Sequence, residues 1–268
     1  MAFFFIQMSD PQLGFFASFS KRTDPSSTLE GFAYETERYE KAIEAANRLG
    51  PAFVVITGDL VQDPHDQAQV DEVRRISGML HNDIPLRLAP GNCDVGVTPT
   101  PALLALYRER FGDDTYSFDH EGVHFVVINS GICFDPSEVP NEWENLMGFL
   151  QADLAAARDR GIARTMLFLH HPPFGKDALE ADSSAAIPGS QRGPLLDLLR
   201  SHGVEAVFAG HWHRNASAFD GSMEIVISGP VSYSLGDDPS GIRIVSVYDD
   251  RIDHRYYGLD DVPRDFSL

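Results

Sequence analysis

Five short apolar runs along the chain each end in a polar segment that carries Asp, Asn, Gln or His. A buried strand of a parallel sheet reads as a continuous apolar run of about 4–8 residues, so the pattern predicts five such strands. The runs, each with the segment that follows it, are residues 3–8 before Ser9-Asp10-Pro11-Gln12, residues 53–56 before Thr57-Gly58-Asp59, residues 86–90 before Gly91-Asn92-Cys93-Asp94, residues 166–169 before His170-His171, and residues 204–209 before Gly210-His211-Trp212-His213.

Between most of these runs, apolar residues recur at helical spacing. The segments with this spacing are residues 35–49, 66–80, 101–111, 146–160 and 194–202. Alternation of strand and helix in the first half predicts a parallel sheet with right-handed crossovers. Later segments predict an antiparallel hairpin (residues 115–118 and 123–129) and three more strands (224–228, 242–248 and 251–257). Residues 13–31 and 172–193 lack a pattern and are expected to be long loops, the first of them over the functional site.

Length and composition favour a single α/β domain spanning residues 1–268. With 268 residues and 43% hydrophobic content, the chain has enough apolar material for a large core. No internal repeat or low-complexity tract marks a boundary. The apolar run at residues 3–8 has no basic residue before it and is cut off by Asp10, so we expect a strand there rather than a signal segment.

The chain is strongly acidic, with 40 acidic against 21 basic residues and a net charge of −19. Such a charge argues against nucleic acid or an anionic membrane as the main partner. Cys93 and Cys133 are too few for a disulfide scaffold, which favours a cytoplasmic location.

The residues at the strand ends are of the types that bind divalent metal ions. In an open α/β sheet, ligands collect outside the carboxyl ends of the strands, so polar residues from five ends can meet in one crevice. Carboxylate oxygens, amide oxygens and imidazole nitrogens suit hard to borderline divalent ions. The sequence therefore predicts a metal site built from strand ends.

In order along the chain, these blocks resemble the signature of the calcineurin-like metallophosphoesterases, which is D-x-H, G-D, G-N-H-[DE], H and G-H-x-H. The resemblance covers residues 10–213. Other segments are similar to one branch of the family, the calcineurin-like phosphoesterase-domain protein phosphatases. Those segments are Gly112-Asp113-Asp114, His213-Arg214-Asn215-Ala216, Leu235-Gly236-Asp237-Asp238-Pro239 and His254-Arg255-Tyr256-Tyr257.

The resemblance implies an α/β fold of two packed mixed β-sheets between outer helices, and a site for two divalent metal ions. It assigns one ion to Asp10, Gln12, Asp59 and His213, and the other ion to Asp59, Asn92, His170 and His211. Asp59 would bridge both ions. A metal-bound hydroxide would act as the nucleophile on phosphate monoesters, and the branch implies phosphoserine or phosphothreonine proteins as substrates.

Two positions depart from the family pattern. Gln12 stands where the family usually has His, and its harder amide oxygen favours Mn²⁺, with Mg, Fe or Zn as alternatives. Cys93 stands where the family has a histidine that protonates the leaving group, oriented by a neighbouring acid, here Asp94. We expect Cys93 either to face the substrate in that position or to be a small buried hydrophobe.

Three further residues are candidates for contact with the substrate: Asn92, Arg214 and Asn215. A solvated surface arginine is an equal alternative for Arg214. His171 follows His170 on the same strand end, should point the other way, and is expected to pack beside the ligands rather than to be one.

Three functions are consistent with these residues. The favoured one is a metal-dependent phosphatase acting on monoesters. A phosphodiesterase acting on cyclic nucleotides or other small diesters is an alternative. Because Cys93 replaces the family histidine, a degenerate metal-binding scaffold that acts as a binding module is another.

Overall fold

Two β-sheets pack face to face and carry helices on their outer faces in a computed structural model that describes residues 2–268. The predicted fold class is confirmed. In chain order the elements are β1 (Phe3–Met8), α1 (Phe15–Thr23), α2 (Ala33–Leu49), β2 (Val54–Thr57), α3 (Gln67–Ser77), β3 (Leu86–Ala89), α4 (Asn92–Val95), α5 (Pro101–Phe111), β4 (Tyr116–His120), β5 (Val123–Val127), α6 (Ser130–Phe134), α7 (Pro140–Asp159), β6 (Arg164–Phe168), α8 (Gly189–Ser201), β7 (Ala206–Ala209), β8 (Ala216–Asp220), β9 (Met223–Ile227), β10 (Gly241–Val247) and β11 (Ile252–Gly258).

Both sheets are mixed, and in each of them the predicted ligands follow strands that run parallel to one another. The first sheet has the order β11-β10-β1-β2-β3, in which β1, β2 and β3 are parallel and β10 runs antiparallel to β1. The second has the order β4-β5-β6-β7-β9-β8, with β5, β6, β7 and β9 parallel and the antiparallel strands β4 and β8 at its edges. The parallel strands bring the carboxyl ends of β1, β2, β3, β6 and β7 to one side of the two sheets.

Phenylalanine side chains fill the layer between the sheets. Phe5 on β1 stacks on Phe53 at 4.8 Å between ring centroids, and its edge meets Phe168 of β6 at 5.5 Å. Successive side chains of a strand point to opposite faces, so the neighbours of these residues face outward. Ile6 of β1 accordingly joins the outer core with Tyr39 and Ile43 of α2. The interdigitated rings fix the two sheets relative to each other.

The strands and most helices lie where the sequence pattern predicts them, but several boundaries differ. Helix α1 occupies part of the segment expected to be a loop. Helix α7 begins at Pro140, which is its first residue as N-terminal helical positions favour, and not at residue 146. Helix α8 begins at Gly189 and contains Pro194, so the second predicted loop is shorter than expected.

Three short elements have no counterpart in the sequence prediction: α4, α6 and the edge strand β8. Helices α4 and α6 have four and five residues, too short for a helical period to be recognised. Within residues 2–268, no helix has both the length and the apolar character that crossing a membrane requires.

Candidate metal centre

The seven predicted metal ligands follow the carboxyl ends of five strands drawn from both sheets. Asp10 and Gln12 follow β1, Asp59 follows β2, and Asn92 follows β3. From the second sheet, His170 follows β6, and His211 and His213 follow β7. The side chains converge: Asp10, Asp59 and His170 each place a ligand atom within 4.8 Å of the other two.

The backbone is strained at these strand ends. Among residues 2–268, six residues other than glycine have positive φ, and five of them are predicted ligands: Asp10, Gln12, Asp59, His211 and His213. Positive φ is uncommon for side-chain-bearing residues, and such strain concentrates at functional sites. The chain turns sharply here so that consecutive strand ends face a common centre.

Two glycines allow the strand ends to approach one another. Gly58 has φ +88°, and a Cβ there would lie 2.5 Å from Nδ1 of His170. A Cβ on Gly91 would lie 2.1 Å from Oδ1 of Asp59. Both positions therefore require glycine, because any side chain would push a predicted ligand out of place.

Each of the three predicted histidine ligands has one ring nitrogen within hydrogen-bond distance of a backbone carbonyl oxygen. Nδ1 of His170 lies 2.8 Å from the Thr57 oxygen, Nε2 of His211 lies 2.9 Å from the Ser184 oxygen, and Nδ1 of His213 lies 2.6 Å from the Tyr233 oxygen. A nitrogen that donates to a carbonyl carries the proton, so the other ring nitrogen has a free lone pair. The free nitrogens are Nε2 of His170, Nδ1 of His211 and Nε2 of His213.

The free nitrogens face acceptor atoms and not donors. Nε2 of His170 lies 3.1 Å from Oδ1 of Asn92, 3.2 Å from Nδ1 of His211 and 3.5 Å from Oδ1 of Asp59. Nε2 of His213 lies 3.4 Å from Oδ1 of Asp10. Lone pairs aimed at one another repel unless a cation or a proton lies between them, so this set fits a site for positive charge.

Two buried oxygen atoms in the same place have no hydrogen-bond partner among residues 2–268: Oδ1 of Asp10 and Oε1 of Gln12. The other oxygen of Asp10 accepts from Ser9 and from the backbone N–H of His211. The nitrogen of the Gln12 amide donates to Gln62 and to Cys93. A buried acceptor without a partner carries a desolvation penalty of about 1–3 kcal/mol, which a bound cation would remove. The residues present therefore fit divalent metal ions.

The electrostatics of Asp10 and His213 reflect their proximity. Burial raises the pKa of Asp10, but the opposing effects of His213 and His170 prevail and lower it to about 2. Burial lowers the pKa of His213, but Asp10, the Tyr233 carbonyl and Asp59 together outweigh burial and the net change is upward. Negative charge on Asp10 is thus strongly favoured in the fold, as a metal ligand requires.

The hydrogen bonds distinguish His170 from its neighbour His171. The hydroxyl of Ser130 accepts the backbone N–H groups of both histidines, so its single hydrogen is left to donate to Nδ1 of His171 at 3.0 Å. His171 also stacks on Phe134, and burial followed by the charges of His211 and His170 holds its pKa well below the usual range. His171 nevertheless lies within the same group of potential ligand atoms as His170 and His211.

Cys93 lies at the centre of the site, and Asp94 does not contact its thiol. The Cys93 backbone N–H donates to Oδ1 of Asp59 at 2.8 Å, and burial followed by the charges of Asp59 and Asp94 raises the thiol pKa well above its usual value. The Asp94 carboxylate accepts the backbone N–H groups of Leu60, Val61 and Gly91. Contrary to expectation, Asp94 therefore ties the β2 and β3 ends together and does not orient the group at position 93.

Neither Arg214 nor Asn215 lines the cleft at the site, and for Arg214 this agrees with the alternative of a solvated surface arginine. The exposed Arg214 guanidinium sits over the ring of Trp212, 5.1 Å from its centroid, outside the cleft at the site. The Asn215 oxygen accepts the backbone N–H of Gly229 at 3.0 Å and Nη2 of the buried Arg243 at 2.6 Å. Asn215 thus stabilises the chain segment after His213 through these internal hydrogen bonds.

A cleft of about 620 Å³ opens over the predicted ligands. Its walls include residues that the sequence analysis did not single out, most of them apolar: Phe15, Phe19, Arg22, Gln62, Val97, Phe134, Ser184 and Leu235. Arg22, on the last turn of α1, is the one Lys or Arg among the described residues that line it. The i, i+4 spacing of Phe15 and Phe19 was the available signal for α1, but these side chains face the cleft and Tyr233 instead of a predicted core.

A model of the family described as calcineurin-like phosphoesterase matches residues 5–215. The chain belongs to the calcineurin-like phosphoesterase family. It is 35% identical over 266 residues to the serine/threonine-protein phosphatase CPPED1 of Bos taurus. The aligned region covers 97% of this chain and 85% of the bovine protein. The predicted family and branch are confirmed, and the chain is a phosphatase, a hydrolase of phosphoric esters.

Solved structures of the same fold include two phosphatases. A dimetal phosphatase from Danio rerio superposes with a TM-score of 0.70 at 16% identity, covering 96% of each chain. The purple acid phosphatase PPD1 of Lupinus luteus superposes with a TM-score of 0.71 at 12% identity, covering 98% of this chain and 52% of that one. At these identities the likeness concerns the fold alone.

Proposed function

We propose that this protein is a phosphomonoesterase that uses two divalent metal ions to dephosphorylate phosphoserine or phosphothreonine in proteins. The observation that carries the proposal is that hydrogen-bond acceptors converge here without donors to satisfy them. They are Oδ1 of Asp10 and Oε1 of Gln12, both buried and without a partner among the described residues, and the free nitrogens of His170, His211 and His213. The protein substrate class rests on the name of the similar bovine phosphatase.

The ligands divide between the two ions as the family resemblance implies. Asp10, Gln12 and His213 would hold one ion, Asn92, His170 and His211 the other, and Asp59 both. Two amide oxygens and two carboxylates make this a hard donor set, which favours Mn²⁺ or Mg²⁺ over softer ions such as Fe or Zn, with Mn²⁺ as the first choice. The ions would supply an activated water at neutral pH and neutralise the phosphate oxygens in the transition state.

Residues of this chain would position the substrate around that centre. Asp10 and Asp59 provide two negative charges against four on the ions, so the floor of the cleft attracts phosphate although the protein is acidic. Asn92 lines the cleft and would donate its remaining amide hydrogen to a phosphate oxygen. Arg22 and the phenylalanines of α1 lie further out, where the peptide on either side of a phosphoresidue would pass.

The other elements of the proposal rest on the sequence and the topology. Residues 1–268 would form one domain, because β10, near the C-terminal end, pairs along β1 at the N-terminal end. A cytoplasmic location is consistent with two unpaired cysteines. The net charge of −19 favours phosphorylated proteins or small molecules over nucleic acid or membranes as partners.

The test is metal analysis combined with a substrate panel. Protein stripped with a chelator and reloaded with Mn²⁺ should hold two ions per chain, hydrolyse p-nitrophenyl phosphate faster than its bis ester, and release phosphate from phosphoserine peptides. Faster hydrolysis of the bis ester would favour the phosphodiesterase alternative. Bound metal without hydrolysis of any ester would favour a binding module.

A further inference from the structure

Cys93 contacts three of the predicted metal ligands at once. Its sulfur accepts from Nε2 of Gln12 at 3.0 Å and from Nδ2 of Asn92 at 3.3 Å. Its backbone N–H donates to Oδ1 of Asp59 at 2.8 Å. Gln12 and Asn92 follow different strands, β1 and β3, and meet at this sulfur.

Gln12 and Asn92 share a property that the other predicted ligands lack. A carboxamide has a donor end and an acceptor end of nearly the same shape, and only the oxygen can bind a cation. Rotation by half a turn would present an NH₂ group to the ion and abolish the bond. A hydrogen-bond acceptor beside each amide must therefore bind its nitrogen, so that its oxygen stays directed at the ion.

The sulfur of Cys93 meets that need for both amides. With the nitrogens turned to sulfur, Oε1 of Gln12 is buried and meets no donor in residues 2–268, and Oδ1 of Asn92 lies 3.1 Å from the free nitrogen of His170. A thiol sulfur accepts weakly but from several directions, whereas a neutral imidazole at this position has one acceptor nitrogen. One imidazole could not accept from both amides.

We propose that Cys93 is a positioning residue whose sulfur holds the carboxamides of Gln12 and Asn92 with their oxygens directed at the two metal ions. The inference rests on the proposed function, since it assigns the amides to one ion each. It differs from both roles expected from the sequence, because here the thiol neither protonates a leaving group nor merely fills space.

The consequences for the two ions differ. Gln12 keeps a second acceptor for its nitrogen, Oε1 of Gln62 at 3.3 Å. Nδ2 of Asn92 has no second acceptor among residues 2–268. Loss of the sulfur should therefore weaken the binding of both ions. The affinity for the ion held by Asn92 should fall more than the affinity for the ion held by Gln12.

The experiment compares Cys93→Ser and Cys93→Val with the wild type. Mn²⁺ binding to metal-stripped protein is measured by calorimetry, and the loaded proteins are examined by electron paramagnetic resonance for the coupled dimanganese signal. Partners of metal ligands are typically worth about 10–100-fold in metal affinity. We expect Cys93→Val, which fills the space without accepting, to lose affinity in that range and to lose the coupled signal.

Cys93→Ser keeps an acceptor but loses volume, so it should bind both ions within a few-fold of the wild type. A space-filling role predicts the opposite order, with valine equal to wild type and serine weaker, and that order would overturn the proposal. Cys133→Ser is the matched control, since Cys133 is buried in α6 and its thiol faces the Asn129 carbonyl. Its Mn²⁺ affinity should equal that of the wild type.

A crystal structure of the Mn²⁺-loaded wild type, at a resolution better than about 1.2 Å, tests the arrangement without substitution at position 93. Both amide nitrogens within hydrogen-bond distance of the sulfur would support the proposal, whereas a sulfur bound directly to an ion or an amide oxygen turned to it would overturn it. The two proposals can fail separately. A wild type that binds no Mn²⁺ overturns both, and a wild type with two ions that Cys93→Val also retains overturns only this one.

Discussion

Nδ1 of His170 lies 2.8 Å from the carbonyl oxygen of Thr57, a residue 113 positions earlier in the chain. The bond joins the end of β6 in one sheet to the end of β2 in the other. It also sets the tautomer of His170, so that the free Nε2 faces Asp59 at 3.5 Å. The packing of the two sheets thus determines which atom of His170 is presented to the predicted metal site.

Replacing Asp59 tests the predicted bridge between the two ions. Asp59→Asn removes one of the two carboxylates in the site, so at least one ion should be lost and turnover of p-nitrophenyl phosphate should fall by more than about 100-fold, beyond the effect of losing an outer partner. Metal content per chain and turnover are the measurements. Asp71→Asn, on the exposed side of α3, is the control. A variant with two ions and near-normal turnover would show that Asp59 is not the bridge.

Arg22 is expected to recognise acidic groups beside the phosphate. Arg22→Ala should raise KM about 2- to 5-fold for phosphopeptides with an acidic residue next to the phosphoserine, as befits an exposed ion pair worth up to about 1 kcal/mol. It should leave kcat and the hydrolysis of p-nitrophenyl phosphate unchanged. Lys21→Ala is the matched control, since Lys21 is the neighbouring exposed cation and does not line the cleft. Equal effects of both substitutions would instead indicate a general electrostatic attraction between acidic peptides and basic residues of α1.

Asn215 is expected to matter for stability and not for the substrate. Asn215→Ala leaves Nη2 of the buried Arg243 without its 2.6 Å acceptor, a loss of about 1–3 kcal/mol. Calorimetry should show Tm lowered by about 2–4 °C for each kcal/mol in a chain of this size. Arg214→Ala should change neither Tm nor KM. A raised KM in either variant at a temperature where it is folded would restore the original prediction of a substrate contact.

Glu35 should give the protein a distinct pH dependence. Its carboxylate accepts the backbone N–H of Phe16 at the start of α1, while its second oxygen is buried with no hydrogen-bond partner in the described part of the chain. Burial outweighs the N–H donors and raises the pKa of Glu35 above 4.5. The folded state therefore binds this proton more tightly than the unfolded state, so the stabilisation is fully present below pH 4.5 and is lost as pH rises through the folded pKa.

The measurement is the Tm difference between Glu35→Gln and the wild type as a function of pH. The neutral amide keeps an acceptor for Phe16 but does not titrate, so the difference should shift in favour of the variant as pH rises from about 4 to neutrality. Glu44→Gln, at an exposed position of the same helix α2, should show no such trend. A difference for Glu35→Gln that is independent of pH would contradict the raised pKa.

The sequence predicted the fold and the place of the site because both depend on local patterns. An apolar run of strand length followed by a segment with Asp, Asn, Gln or His is a property of a few neighbouring residues, and it recurs five times. Parallel strands joined by helices then bring the ends within each sheet to one edge of that sheet. The family pattern added which atoms would share an ion.

Helix α1 shows what local patterns could not provide. Its aromatic residues pack on Tyr233, which follows β9 and is more than 200 positions away in the chain. A short helix of this kind is stabilised by its tertiary contacts more than by its own propensity. Arg22 reaches the cleft only because those contacts hold the helix there.

The contacts of Asp94, Asn215 and Cys93 were also decided by the tertiary structure. The family resemblance suggested that Cys93 faces the substrate and is oriented by Asp94, and proximity to a ligand suggested a substrate contact for Asn215. Asp94 instead bonds to the N–H groups of Leu60 and Val61, and Asn215 bonds to Arg243. Hydrogen bonds depend on distances of about 3 Å and on direction, and such precision arises only when strands distant in sequence are packed.

What the sequence by itself determined is therefore the set of residues at the strand ends and the family to which they belong. Only the packed structure decided which nitrogen of each histidine is free, which oxygen of Asp10 lacks a donor among the described residues, and that one sulfur lies between two amides. The reason is physical: residue type and spacing fix where a side chain begins, whereas the backbone carbonyls and side chains brought against it by the two sheets fix where its lone pairs point.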